Sequence, residues 1–220
     1  MVAGDVFQSM IPGASKLVKL AVVAAGLLPL TAWSQQIQHV SPAGVRAILT
    51  KPGIEMTGAH HPDVTIVEYF DYNCPYCRRL DPTFRRLIAA DRKIAIVYKD
   101  WPILGEVSVY AARCALAARY QGGYLVAHDA LLDGPRLSQD DQVDSLLQAA
   151  GIDVEKLKRD LSAHSQDIDA LLARNGAEAD ALELQGTPGI LVARRLVPAD
   201  ADLSYIQKVV AEVRSEPINK

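Results

Sequence analysis

Cysteine is scarce in this sequence: Cys74, Cys77 and Cys114 are the only three among 220 residues. So few cysteines exclude a small domain held together by disulfides, and the core must come from the half of the residues that are hydrophobic. Basic charge is not in excess either, because 26 Asp and Glu outnumber 23 Lys and Arg, so nucleic acid is not an expected partner. The sequence also lacks internal repeats and low-complexity segments, which excludes repeat architectures.

Residues 1–34 have the layout of a secretory signal peptide. Two lysines precede an apolar run of about 14 residues, and Ala32 and Ser34 supply small residues before the expected cleavage site. The run is short for a membrane span, and an uncleaved anchor helix is the alternative interpretation. Met10 is an alternative start that would give a tidier signal. We expect the mature protein in the periplasm, a compartment in which disulfides persist.

The next part of the sequence predicts a strand, a helix and a strand. Residues 35–60 are polar and rich in turn residues, and they predict a lead-in segment with a short helix near Pro42–Leu49. Val64–Phe70 and Ile94–Lys99 are rich in β-branched and aromatic residues and predict two strands. A helix from Pro75 to about Asp91 is expected between them, because proline is tolerated in the first turn of a helix.

A helical block separates this unit from a second group of strands. Helical periodicity runs through residues 106–184. Gly186–Pro198 then predicts a turn, a strand and a tight return to another strand, and an amphipathic helix follows. The order is therefore strand, helix, strand, then helices, then strand, strand, helix, which indicates an α/β protein.

The stretch CPYC places two thiols at the start of the first long helix. Unpaired backbone N–H groups and the helix dipole favour a thiolate at Cys74, and such cysteines have pKa values of roughly 3.5–7.5. Cys77 lies one helical turn further on, close enough for a disulfide with Cys74. We expect Cys74 to be the nucleophile and Cys77 to resolve the mixed disulfide that Cys74 forms.

Glu68 is an acidic residue on the apolar side of the first predicted strand. Side chains alternate along a strand, so Glu68 shares its side with Val64, Ile66 and Phe70. Burial raises the pKa of a carboxyl group, and a carboxyl that titrates near neutrality can accept the proton of Cys77. The alternative is a structural ion pair with Lys99 on the neighbouring strand.

The dipeptide Thr187-Pro188 stands just before the third predicted strand. Bonds before proline are the ones that adopt the cis form readily. A proline at this place leaves the preceding backbone groups free to pair with an extended partner chain. A trans turn is the alternative, because most such prolines are trans.

Three motifs together give a specific resemblance. VTIVEYFDYNCPYCRRL, VYKDWPILG and GTPGILV resemble the DsbA-type thiol-disulfide oxidoreductases of bacterial envelopes, in the branch with FDYxCPYC and YKxxPILG motifs. The resemblance covers about residues 58–213. It implies a thioredoxin fold interrupted by a helical domain: residues 61–104 form the first half, 105–184 the helical insertion and 185–214 the second half.

The resemblance also implies roles for individual residues. Cys74 and Cys77 would form the redox pair, and Glu68 would be the buried acid. Pro188 would be the cis-proline, with Thr187 beside it against the substrate, and Pro75 and Tyr76 would contact the substrate too. The sequence departs from the family at three places. Gly189 stands where the family usually has alanine or serine, and residues 193–195 form a hairpin turn where the family usually has glycine. Cys114 stands where many relatives have alanine.

Other interpretations of single residues stay open at this point. Cys114 is expected to be a buried small hydrophobe rather than a redox group. His60 and His61 could join the two active-site cysteines in a metal site, but their spacing is not that of zinc sites and no metal is expected. Arg78 and Arg79 form either a solvated helix face or a charge that favours the thiolate.

We therefore predict a periplasmic thiol-disulfide oxidoreductase that needs no cofactor. Its expected partners are exported proteins with cysteines and a redox partner in the membrane or the periplasm. The oxidase direction is favoured, and an isomerase or reductase would use the same residues. A metal carrier or a chaperone that uses the fold without turnover is the alternative from another functional class.

Overall fold

The computed structural model describes residues 38–216. The predicted signal peptide lies outside these residues. Within residues 38–216, no helix combines the length and the apolar character needed to cross a membrane.

A five-stranded mixed sheet forms the centre of the fold, with the strand order β1-β3-β2-β4-β5. Strands β2 and β3 run parallel, and the other three pairs are antiparallel. The strands are β1 (Glu55–Gly58), β2 (Val64–Phe70), β3 (Ile94–Asp100), β4 (Gly189–Val192) and β5 (Arg195–Val197). Both long strands and the C-terminal hairpin lie where the sequence predicts them.

Strand β1 was not expected, since the lead-in segment was predicted to contain only a helix. It pairs with the edge of β3, with Met56 opposite Val97. Gly58 ends the strand at a positive φ of 96°, and a Cβ atom there would lie 2.5 Å from the carbonyl oxygen of Ile94. A short strand with a glycine and only half of its residues partly covered gives little sequence signal.

Eight α-helices surround this sheet in the described part of the chain. They are α1 (Pro42–Leu49), α2 (Pro75–Ala90), α3 (Glu106–Ala118), α4 (Tyr124–Asp133), α5 (Asp140–Ala149), α6 (Val154–Ala163), α7 (Ser165–Ala181) and α8 (Leu203–Ser215). The short helix of the lead-in segment is confirmed as α1. The predicted helical block is divided into α3 to α7, and these helices form an insertion between β3 and β4. The architecture is the predicted thioredoxin fold with an inserted helical domain.

The two faces of the sheet carry different cores. One face packs Ile66, Phe70 and Ile96 against the main hydrophobic core, and the other packs Val67 and Tyr69 into a smaller cluster with α1 and the end of α7. Glu68 shares the parity of Ile66 and Phe70. The alternation therefore directs its carboxyl group toward the main core, as the sequence predicts.

Lys99 lies on the opposite face from Glu68. Strand β3 aligns Tyr98, not Lys99, with Glu68. The Lys99 ammonium group donates to a carboxylate oxygen of Glu178 at 2.9 Å and to the Ile48 carbonyl at 3.2 Å. The alternative in which Glu68 and Lys99 form a structural ion pair is therefore wrong.

The departure from the family at the β4–β5 hairpin does not disturb the strands. Ala193 takes the left-handed conformation, with φ 53°, at the place where glycine is usual. Strands β4 and β5 still pair from Ile190–Val197 to Val192–Arg195. The hairpin therefore forms with alanine at a positive φ, a backbone conformation that is uncommon for residues other than glycine.

Candidate active site

Asp71 fixes the loop that carries the cysteines. This buried carboxylate accepts hydrogen bonds from the Asn73 amide at 2.7 Å and from the Ser108 hydroxyl at 2.8 Å. Its second oxygen accepts from the amides of Ile103 and Leu104, at 2.8 and 2.9 Å. Asp71 thus ties the end of β2 to the loop after β3 and to helix α3.

Asn73 links the same loop to the helical insertion. Its side-chain amide donates to the carbonyl of Leu137 at 3.1 Å, and its oxygen accepts from the Leu137 amide at 2.8 Å. Two hydrogen bonds of this kind fix both the position and the orientation of a side chain. The residue before Cys74 is thereby attached to a segment that is 64 residues away in sequence.

Arg78 is not a solvated charge, contrary to one of the two interpretations of the sequence. Its guanidinium group donates to the carbonyls of Tyr72, Leu131 and Leu132, at 2.8, 3.0 and 3.0 Å. It also donates to the carbonyls of Gly134 and Pro135. The last carbonyls of a helix lack partners within the helix, so Arg78 caps α4 and joins it to the active-site helix α2. Arg79 instead stacks on the Tyr76 ring, 4.4 Å from its centroid.

Arg78→Lys is expected to lower the free energy of unfolding by about 2–4 kcal/mol, because a lysine cannot reproduce the planar fork of donors. Arg79→Lys, one position along the same helix, should change it by less than about 0.5 kcal/mol. Denaturant unfolding of both variants measures the difference. Equal effects would mean that the carbonyl contacts of Arg78 contribute nothing to stability.

Cys74 is the N-cap residue of α2, as predicted from its place between a strand and a helix. Its sulfur lies 3.1 Å from the carbonyl oxygen of Thr187. A hydrogen bond from the Cys77 thiol is the largest influence and lowers the pKa of Cys74 to about 6. A hydrogen bond from the Thr187 side chain and those from the amides of Cys77 and Tyr76 act in the same direction, and together with the Cys77 thiol they outweigh burial, which raises the pKa. The thiolate therefore predominates at neutral pH.

The pKa of Cys77 is shifted in the opposite direction from that of Cys74. Cys77 has no exposed surface, and burial raises the pKa of its thiol, with the hydrogen bond to Cys74 and the charge of Glu68 adding to the effect. Both cysteines are free thiols in the structure. The two sulfurs thus differ in the way that a nucleophile and a resolving thiol require.

Cys74 should be alkylated with a pH midpoint near 6, because its pKa is about 6 and only the thiolate reacts. Reactivity rises as the pH passes upward through this value, while Cys77 stays protonated and unlabelled. Brief iodoacetamide treatment between pH 4 and pH 9, followed by mass mapping, measures both rates. A midpoint near 8.5, or earlier labelling of Cys77, would contradict the assignment of the two thiols.

Glu68 is buried without a hydrogen-bond partner. Neither carboxylate oxygen has one among residues 38–216, and the residue has no exposed surface. Burial raises the pKa of this carboxyl well above its ordinary value, and the negative charges of Asp81 and of the Cys74 thiolate raise it further. The charge of Glu68 also raises the pKa of Cys77, and Glu68 shares its face of β2 with Phe70, which lies in the same core as Cys77.

The Thr187-Pro188 bond is cis, and it faces the sulfur of Cys74. A cavity of about 550 Å³ opens beside it and extends along β4 and β5. Thr187, Pro188 and Tyr76 line this cavity, and Tyr76 is 51% exposed. Pro75 is also exposed, at the first position of α2. Three of the four residues predicted to contact a substrate, Thr187, Pro188 and Tyr76, thus line one groove next to the nucleophile, and Pro75 is exposed beside Tyr76.

Gly189 has a structural reason for its departure from the family pattern. A Cβ atom at this position would lie 2.4 Å from a methyl carbon of Leu184. Both residues line the groove. The small residue after the cis-proline therefore lets Leu184 pack closely against the start of β4.

The remaining candidates lie away from the redox pair. Cys114 is buried, and burial raises the pKa of its thiol to about 12, in agreement with the predicted hydrophobic role. His60 and His61 line a separate cavity of about 670 Å³ with Arg85 and Arg92. In the described residues the histidines do not form a ligand cluster with the cysteines, so the Cys₂His₂ alternative is not assembled.

Comparison with known proteins relates this chain to the DSBA-like thioredoxin domains. The model of the DSBA-like thioredoxin domain matches residues 65–211. The structure of a thioredoxin-like oxidoreductase from Silicibacter pomeroyi DSS-3 is similar, with a TM-score of 0.74 and 39% sequence identity. That comparison covers 78% of this chain and 98% of the other.

Curated relatives are more distant. A probable disulfide bond formation protein D from Bacillus cereus is 26% identical over 152 residues, which cover 63% of this chain and 69% of that protein. A sodium/proton antiporter NhaA 3 from Salinispora tropica is 29% identical over 144 residues, or 61% of this chain. The matching region spans only 21% of the antiporter's length.

Proposed function

The chain belongs to the DSBA-like thioredoxin-domain family of thiol-disulfide oxidoreductases, and from that premise we propose that it oxidises exported proteins through Cys74 and Cys77. The observation that carries this proposal is the contrast between the two thiols: Cys74, with a lowered pKa, lies 3.1 Å from the carbonyl of Thr187 in the groove lining, and Cys77, with a raised pKa, has no exposed surface. The signal-like N-terminal sequence supports a periplasmic location.

The oxidation proceeds by two exchanges that begin with a Cys74–Cys77 disulfide. A substrate thiolate attacks the sulfur of Cys74, which breaks the internal disulfide and releases Cys77 as a thiolate. Glu68 donates a proton to this leaving thiolate. A second substrate thiolate then attacks the substrate sulfur of the mixed disulfide and releases Cys74 as a thiolate. The substrate has lost two electrons, and the cysteine pair has gained them.

The hydrogen bonds to Cys74 support the oxidase direction. They stabilise the thiolate, which exists only in the reduced protein. An oxidoreductase whose reduced form is stabilised is a strong oxidant, because its disulfide is then less stable by comparison. A redox partner in the membrane or the periplasm must re-oxidise the pair after each turn.

The groove beside the cis-proline supports binding of an extended substrate chain. It combines the backbone of Gly186–Gly189 with apolar side chains of Leu184 and Tyr76. Backbone groups next to a strand can pair with an added chain, and apolar pockets can hold alternate side chains. Thr187 and Pro188 would set the substrate cysteine against the sulfur of Cys74.

The equilibrium potential of the Cys74–Cys77 pair in glutathione buffers tests the direction of the exchange. A value near about −120 mV is expected for an oxidant. A value near about −270 mV would show that the same residues act as a reductant or an isomerase. Failure of the pair to exchange with glutathione at all would favour the binding-protein alternative.

A further inference from the structure

Proton supply is a physical problem for this site if the proposed exchange is right, and the inference below rests on that function. A proton must reach Cys77 or leave it each time the internal disulfide breaks or forms. Cys77 and Glu68 both lack exposed surface. A carboxyl group that cannot reach water exchanges its proton only through other groups, so the structure needs a route from Glu68 to solvent.

Asp81 is a second buried carboxyl group behind the redox pair. It lies on α2, four residues after Cys77 and four before Arg85, so the three share one side of the helix. Its side chain is 1% exposed and forms an ion pair with Arg85. Neither carboxylate oxygen accepts a hydrogen bond from the described residues. Asp81 and Glu68 border the same core, because Tyr98, which is aligned with Glu68 across the sheet, packs with its ring centroid 4.0 Å from that of His128, the residue that faces Asp81. The negative charge of Asp81 also raises the pKa of Glu68.

His128 faces Asp81 from the helical insertion. It lies on α4 without exposed surface, and its Nε2 atom is 3.7 Å from a carboxylate oxygen of Asp81. That nitrogen has no hydrogen-bond partner among residues 38–216. The other ring nitrogen lies 3.4 Å from the Tyr72 hydroxyl. Aromatic rings surround the imidazole on its remaining sides, those of Phe70, Tyr72, Tyr98 and Tyr124.

Asp129 connects this buried pair to the surface. Its side chain is 49% exposed. The potential ligand atoms of Asp81, His128 and Asp129 all lie within 4.8 Å of one another. The 3.7 Å between His128 and Asp81 exceeds a direct hydrogen bond, and separations of up to 4.8 Å lie within the span of one bridging water. The guanidinium group of Arg85 already supplies a positive charge to Asp81, which disfavours a metal ion between these side chains.

We propose that Asp81, His128 and Asp129 form a proton relay that connects Glu68, behind the redox pair, with solvent beside helix α4. When Cys77 leaves as a thiolate, Glu68 protonates it and recovers a proton from water through the relay. When Cys77 attacks a mixed disulfide, the proton of its thiol goes to Glu68 and leaves by the same path. The relay moves protons only, and the electrons stay with the sulfur atoms.

The ionisable surroundings of the relay include groups from four elements. From the strands come Glu68 on β2 and Tyr98 and Asp100 on β3, with Tyr72 in the loop after β2. From the helices come Cys77 and Arg85 on α2, with Cys74 at its N-cap, and Tyr124, Asp129 and Asp133 on α4. Arg85 is the one arginine or lysine among these groups. Removal of the Asp81 charge therefore leaves Glu68 with less repulsion, and its carboxyl should ionise at lower pH.

Quenched-flow reaction of the reduced protein with glutathione disulfide tests the relay, because it separates two steps. The first forms the mixed disulfide on Cys74, and the second resolves it through Cys77. Asp81→Asn, His128→Phe and Asp129→Asn should each slow the second step about tenfold at pH 7. They should change the first less than about twofold. In Asp81→Asn the pH profile of the second step should also move to lower pH.

Asp133→Asn is the matched control. Asp133 lies on the same helix and binds the same Arg85, with one contact at 2.9 Å, but its side chain is 55% exposed and lies outside the relay. It should leave both steps unchanged. Asp129→Asn keeps the test valid even where a buried variant fails to fold, because its side chain is half-exposed. Added imidazole buffer should restore its second step, since the neutral imidazole can accept the departing proton in place of the lost carboxylate.

The outcomes separate the relay from the proposed function. If wild-type protein forms no mixed disulfide with glutathione, the exchange function itself is wrong. If it does, and Asp81→Asn and Asp129→Asn resolve the adduct at the wild-type rate and pH profile, the relay is wrong and the function stands. Slowing in Asp129→Asn that imidazole cannot relieve would make Asp129 a structural residue and would also overturn the relay.

Discussion

Cys77→Ser is expected to stop disulfide exchange at its covalent intermediate. The Cys74 thiolate of this variant still attacks a disulfide, because its sulfur remains at the groove beside Thr187. No second thiol then lies within reach to release the adduct. An oriented group in the same molecule is worth effective concentrations of roughly 10⁵ M or more, so the lifetime of the adduct should rise by at least about 10³-fold. Reaction with glutathione disulfide and intact-mass measurement over time gives this lifetime.

Two variants serve as controls for this result. Cys74→Ser should form no adduct, since the remaining Cys77 is buried and protonated at neutral pH. Cys114→Ala should behave like the wild type, because Cys114 is buried in the helical insertion. A short-lived adduct in Cys77→Ser would show that the resolving thiol comes from elsewhere. An adduct on Cys77 in the Cys74→Ser variant would reverse the two roles.

The central elements could be predicted from the sequence because their signals are local. Strand β2 is a run of β-branched and aromatic residues, and α2 begins at Pro75, five residues after the strand ends. Cys74 must then lie at a helix start, where the amides of Tyr76 and Cys77 help to lower its pKa, although the hydrogen bond from the Cys77 thiol lowers it more. The parity of Glu68 follows from the alternation of side chains along β2. Such conclusions need only neighbouring residues, and the structure agrees with each of them.

The residues that hold the site together gave no such signal. Asp71, Asn73 and Arg78 each bind backbone groups that lie more than 30 residues away in sequence. A lone polar residue has the same appearance in sequence whether it is solvated or binds a distant carbonyl. Arg78 is the clearest case, since an arginine on a helix usually faces solvent. Only the packing of α4 against α2 reveals four of its five acceptors, the fifth being the nearby Tyr72 carbonyl.

The alternative of an ion pair between Glu68 and Lys99 was wrong because it, too, depends on residues that are distant in sequence. The sequence locates both strands but does not give the register between them. The structure sets Glu68 beside Tyr98, so Lys99 faces the opposite side of the sheet and binds Glu178. A shift of one residue moves every side chain of a strand to the other face. The neighbours of a buried charge across a sheet therefore need the three-dimensional structure.

Glu68→Gln is expected to slow the Cys77 step by about 10²-fold while it leaves Cys74 reactive. An amide has the size of the carboxyl group but cannot accept or donate the proton that Cys77 exchanges. The pH dependence of this step, which follows the ionisation of Glu68 in the wild type, should be lost. Quenched-flow reaction with glutathione disulfide between pH 5 and pH 9 measures both quantities. An unchanged rate and profile would leave Glu68 without a role in proton transfer.

The same substitution should stabilise the reduced protein at high pH, because burial raises the pKa of Glu68. The folded protein then holds this proton where the unfolded chain has released it, so stability falls as the pH rises above the unfolded value of about 4.3. Glutamine does not ionise, and its stability advantage over the wild type should grow by up to about 1.4 kcal/mol per pH unit until the folded carboxyl also ionises.

Glu178→Gln is the contrasting control. It removes the charge that binds Lys99 and Tyr69, and it should destabilise the protein by about 1–3 kcal/mol. Urea unfolding of the wild type and the two variants from pH 4.5 to pH 8.5 measures the free energy of unfolding of each protein as a function of pH. A Glu68→Gln variant that gains no stability with rising pH would mean that this carboxyl is ionised in the folded protein, and it could not then supply the proton that the leaving Cys77 thiolate requires.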